Sequence, residues 1–160
     1  MISVPLAIRL RDAGLRWDPA RGDQFAIIDR GMDSEVFVLS DMTVEVHDFP
    51  GGPVIGFNGT VEWALDSVEQ ASTLWLPDEG QLRERLGGTF VGLRHADGVF
   101  TVDLVVAGNR TSCSADDAAE AYGLALLFLV TGEVTGEVGG EVASSSCRRV
   151  VRTESAEWRW

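Results

Sequence analysis

Thirteen residues from Ala118 to Val130 carry a single charge, Glu120, among Ala, Leu, Tyr, Gly, Phe and Val. A helix of that composition is apolar nearly all round and has to be covered on more than one side. It is also too short to cross a bilayer, which takes about 20 residues. Asp116 and Asp117 stand where negative charge meets the positive end of a helix, Ser114 is a candidate N-cap, and Gly132 is a stop. The segment predicts a long C-terminal core helix lying across a sheet.

The sheet has to come from the preceding residues. Gln24 to Asp29 and Glu35 to Leu39 are short runs rich in Phe, Ile and Val, apolar on both faces as interior strands are. Met42 to Asp48 alternates, and Pro50, Gly51, Gly52 and Pro53 form a turn before a partner strand over Val54 to Phe57. Thr89 to His95 and Gly98 to Val106 flank Asp97-Gly98, a hairpin signal. At the N-terminus Ser3 caps a short amphipathic helix with Pro5 in its first turn and Gly14 past its end. A second short helix is expected from Asp78 to Leu86, closed by Gly87. Between Thr60 and Gln70 both templates fit, and the spacing of Val61, Ala64, Leu65 and Val68 favours helix. These elements predict an α+β fold. One antiparallel or mixed sheet of about five to six strands, with helices packed on it, fills residues 1–132.

From residue 133 the pattern changes. A Gly-Glu-Val triplet recurs at Gly132, Gly136 and Gly140, followed by Ser144, Ser145 and Ser146. Low complexity without a core pattern predicts a flexible tail over residues 133–160.

The charge balance narrows the partners. The chain has 13 basic residues, all of them Arg, against 25 acidic ones, for a net charge of −12. That field repels phosphate backbones, and Arg148, Arg149 and Arg152 are too few for a nucleic-acid footprint. No nucleic-acid partner and no membrane span are expected. Met1 to Pro5 has neither a basic nor an apolar leader region, and Cys113 and Cys147 read as two reduced thiols, which places the chain in the cytoplasm.

Chemical motifs are sparse. His47 and His95 stand next to acidic residues but beside no nucleophile elbow, and Cys113 precedes a helix start, where a thiol pKa falls. Cys and His pairs at zinc spacing are missing, as is a phosphate-binding loop with its lysine, so no metal and no cofactor are expected. Asp12, Asp18, Asp23 and Asp29 are scattered over a helix end and turns. Trp17, Trp63 and Trp75 lie at segment junctions, where a large rigid ring either closes a small core or meets a protein partner.

Four stretches, Leu6 to Gly14, Glu35 to Phe49, Gly59 to Ser67 and Leu74 to Pro77, together resemble a family of short actinobacterial proteins that carry the label of the pilus assembly protein CpaE. The resemblance covers residues 1–132 and implies a link to pilus assembly. It implies no ATP-binding residue, because the phosphate loop of the ATPases of that name has no counterpart here. The expected function is a non-catalytic binding or accessory protein. The alternative is a small carboxylate-dependent hydrolase or transferase helped by His47 or Cys113.

Overall fold

The computed structural model describes residues 1–28, 35–39, 44–57, 67–132 and 146–150. The fold is α+β, with every paired strand antiparallel. Among the described residues three small sheets stand in place of the single sheet expected, and the chain divides into two compact units, Met1–Leu82 and Arg83–Trp160.

The first unit opens with helix α1 (Val4–Asp12), whose Ser3 cap accepts a hydrogen bond from the Leu6 amide at 3.4 Å. Leu6, Ala7 and Leu10 form its buried face, as their spacing dictates. Strand β1 (Gln24–Ile27) is central in a sheet of order β2-β1-β6, between β2 (Val36–Val38) and β6 (Thr73–Trp75). Its Phe25 and Ala26 are buried. Phe37, Phe25 and Trp75 stand directly opposite one another across the three strands. Aromatic neighbours in register are a main source of cohesion in so short a sheet.

The second sheet of this unit has order β3-β4-β5, from β3 (Val44–Phe49), β4 (Gly52–Phe57) and β5 (Ser67–Glu69). The expected Pro-Gly turn joins β3 to β4, and Ile55 is fully buried. The helix expected over Thr60 to Gln70 is corrected where it can be followed: Ser67–Glu69 pairs with β4, and Gln70–Ser72 is a single 3-10 turn. Pairing with an open strand edge outweighs a weak local helical spacing. Residues 58–66, which include Trp63, lie outside the described residues.

Helix α2 (Glu79–Leu86) begins with a reciprocal cap. Asp78 accepts from the Gln81 amide at 2.9 Å while the Gln81 side chain accepts from the Asp78 amide at 3.0 Å. The boundary between the units falls inside this helix.

The second unit is a four-stranded sheet of order β10-β9-β8-β7, with helix α3 (Ala118–Thr131) packed on β8, β9 and β10. The strands are β7 (Phe90–Ala96), β8 (Val99–Val106), β9 (Asn109–Ala115) and β10 (Ser146–Val150). Helix α3 is the core helix expected, buried without a break from Ala121 to Phe128, and Tyr122 meets Phe90 with ring centres 5.6 Å apart. Its N-cap is Asp117, whose side chain accepts from the Glu120 amide, because Ser114 is occupied as a residue of β9. Gly132 ends it in the left-handed region at φ 70°. Val102, Leu104, Thr111, Cys113 and Ala115 form the buried face of β8 and β9.

Two expectations about the chain's end are corrected here. Residues 146–150, inside the segment expected to be a flexible tail, are the edge strand β10, in register with β9 from Ser146 opposite Ser114 to Val150 opposite Arg110. The two expected thiols are a disulfide, with Cys113 and Cys147 directly opposite on β9 and β10 and Cα atoms 4.0 Å apart. The pairing of strands 34 residues apart in sequence is what sequence spacing alone does not disclose. Among the described residues no helix is long and apolar enough to cross a membrane.

Candidate functional site

In the first unit, Asp23 is a buried carboxylate, 3 % exposed. Burial of a charge is costly unless donors replace its water. Three do so: the Trp17 indole N–H at 2.7 Å and the Ala20 amide at 2.8 Å reach Oδ2, and the Gln81 side-chain amide donates to Oδ1 at 2.6 Å. One side chain thereby ties the loop after α1 to the first turn of α2. It also fixes the plane of Trp17, whose ring lies 5.8 Å from that of Phe25.

With its N–H satisfied from behind, Trp17 turns a half-buried ring toward an open cavity of about 150 Å³. Ala7, Leu10 and Arg11 of α1 form one wall, and Leu74 and Trp75 of β6 form another. Trp17 and Trp75, which the sequence singled out separately, are thus brought to one apolar site by the packing of α1 on β6. A volume near 150 Å³ accommodates roughly one benzene-sized ring. It is well below the roughly 300–1,000 Å³ of pockets that enclose whole small-molecule ligands. Among the described residues Arg11 is the one charged side chain on the wall, and it is paired with Asp12 at 2.9 Å on the solvent side.

Cys113 is in a disulfide and has no thiol to act as nucleophile. His47, in β3, belongs to the first unit and lies near the Phe49 ring at 6.3 Å. His95 is exposed at the end of β7, stacked on Phe100 at 4.1 Å. Among the described residues no group of three or more His, Cys, Asp or Glu side chains is placed to hold a metal ion.

In the second unit the sheet face opposite α3 carries mainly polar side chains, with Val99 and Val105 of β8 among them, a face the sequence does not signal because β9 lacks large apolar residues. Alternation puts Thr101 and Asp103 of β8, Arg110, Ser112 and Ser114 of β9, and Arg148 of β10 on this face. Arg94 of β7 holds Asp103 in a two-pronged pair, Nε to Oδ2 at 2.6 Å and Nη2 to Oδ1 at 3.0 Å. Ser112 donates to Oδ1 at 2.7 Å, and Thr101 and Ser114 share a hydrogen bond of 2.9 Å. The Arg94 guanidinium holds the Asp103 carboxyl below its ordinary value. The Ser112 hydroxyl and the charge of Arg110 add to this against the opposing effect of partial burial. Compared with protein-family models, curated proteins and solved structures, the chain matches none.

Proposed function

We propose that this chain is a non-catalytic binding protein that takes a single apolar or aromatic anchor side chain of a protein partner into the Trp17–Trp75 cavity. One observation carries the reading. Two tryptophans 58 positions apart line one open apolar cavity, and one of them is held in place by a buried carboxylate. Binding energy at protein interfaces concentrates in such aromatic, well-packed anchor pockets. A ring fixed before the partner arrives loses little entropy on contact. The cavity size favours one side chain over a whole substrate.

The family resemblance supports placing this role among accessory proteins of pilus assembly. For the alternative, a carboxylate-dependent hydrolase or transferase helped by His47 or Cys113, the disulfide removes the Cys113 thiol and leaves the carboxylates and His47 as its candidate groups. The cytoplasmic expectation rests on the pattern of Met1 to Pro5 and on reduced thiols; the Cys113–Cys147 bond removes the second ground and favours a compartment in which disulfides persist. The reading is tested by capturing partners with the intact chain and with Trp75→Ala, quantified by mass spectrometry. A specific partner that is lost with Trp75→Ala, while circular dichroism stays native, supports it. A partner held equally by both chains rejects it.

A further inference from the structure

The polar sheet face of the second unit carries an inference separate from the Trp17–Trp75 cavity. Arg148 stands directly opposite Ser112, and Arg110 lies two residues from Ser112 on the same strand face. Arg110 and Arg148 are therefore diagonal neighbours on adjacent strands, about 7–8 Å apart. Both are exposed, and among the described residues neither holds an ion pair. Two adjacent like charges repel. Among the described residues the acidic side chain whose field reaches Arg110 is Asp103, which Arg94 already holds, so an anionic group from outside would relieve the repulsion.

The same face shows what chemistry it accepts. Beside this pair, Arg94 and Ser112 already hold the Asp103 carboxylate, by a guanidinium fork and a hydroxyl. That carboxylate fully occupies the Arg94 fork, whereas Arg110 reaches it only through its field. A recess of about 400 Å³, lined by Arg94, Asp103, Arg110 and Ser112, opens next to it. We infer that the Arg110–Ser112–Arg148 face binds an acidic peptide segment of a partner protein through two of its carboxylates.

Spacing favours an extended peptide. Side chains two residues apart on a strand are about 6.7 Å apart and share one face, so a Glu-x-Glu segment matches the Arg110–Arg148 diagonal. Charge density disfavours a nucleic acid. Strong phosphate-backbone binding uses roughly 6–10 contacts, whereas this face offers, among the described residues, two guanidiniums outside ion pairs in a chain of net charge −12.

The test is fluorescence anisotropy of the intact chain with a labelled peptide of alternating Glu and Ser, at low and at physiological ionic strength. Arg110→Gln and Arg148→Gln are each expected to weaken binding about two- to fivefold, the range of exposed ion pairs. Arg9→Gln makes the same charge change on α1 and is expected to leave binding unaltered. Both target residues are exposed, and Arg110→Lys and Arg148→Lys give partial rescue if the charge rather than the fold is at issue. The inference is overturned if the peptide does not bind wild type at low salt, or if Arg9→Gln weakens it equally. It is also overturned if a short DNA duplex binds more tightly than the peptide and depends on the same two arginines.

Discussion

Opening the Cys113–Cys147 bond is the perturbation with the largest effect worked directly from this structure. The bond closes a loop across 34 positions and fastens the edge strand β10 to β9. In the chain-entropy description, a loop of that length restricts the unfolded ensemble by about 3.8 kcal/mol at 25 °C. Stability of a small domain is only about 5–15 kcal/mol, so the second unit would lose a large share of it. The sulfurs are buried, Cys113 fully and Cys147 at 2 % exposed, so a reductant reaches the bond only when this unit opens. The assay is equilibrium urea unfolding followed by circular dichroism, with and without dithiothreitol, alongside the Cys113→Ala/Cys147→Ala chain. With a urea slope of about 1–2 kcal/mol/M, the midpoint is expected to fall by roughly 2–4 M on reduction. The double variant should be insensitive to reductant. Two titratable thiols per chain in denaturant without reductant would refute the pairing. Midpoints unchanged by reduction would refute the argument that β10 is held as part of the fold.

Three further outcomes are expected. Asp23→Ala leaves the Trp17, Ala20 and Gln81 donors without their buried acceptor and should destabilise the first unit by about 3 kcal/mol in urea unfolding, with a shifted tryptophan emission. Asp103 has a folded-state pKa depressed from its ordinary 3.8, so its contribution is present above that value and is lost as pH falls through the lower folded value. Asp103→Asn should therefore weaken the second unit at neutral pH and flatten the acid limb of its stability profile, read by urea midpoints from neutral to acid. Ala107 sits at φ 50° before Gly108 in the β8–β9 turn, a conformation that costs an alanine about 1 kcal/mol. Ala107→Asn, which makes an Asn-Gly turn, should recover roughly that amount in thermal or urea unfolding.

What the sequence disclosed followed from strong local signals. Helix α3 was legible because its residues are apolar on every side, and the β7–β8 hairpin because Asp97 and Gly98 both take the positive φ that such a turn requires. Strand β9 was not, because its inward residues Thr111, Cys113 and Ala115 are small and its turn is Ala-Gly rather than Asn-Gly. Strand β10 holds its place through register and a disulfide with a partner 34 positions away, which no local pattern carries. The resulting arginine face on β9 and β10 was invisible for the same reason. Trp17 and Trp75 were picked out by residue type and position. Their meeting at one cavity depends on α1 packing against β6, a contact between segments about 60 residues apart.

The cavity is tested most directly by filling it from a residue that takes no part in holding the tryptophans. Ala7 is buried in α1 and lines the cavity, so Ala7→Met places added side-chain volume inside it. Unfolding midpoint and capture of the partner are then measured on the same preparation. A midpoint at or near wild type, with partner binding weakened about tenfold or more as expected for a blocked anchor, is the result predicted. Undiminished partner binding by a stably folded Ala7→Met chain would contradict it, and would leave the cavity as a packing feature of the first unit.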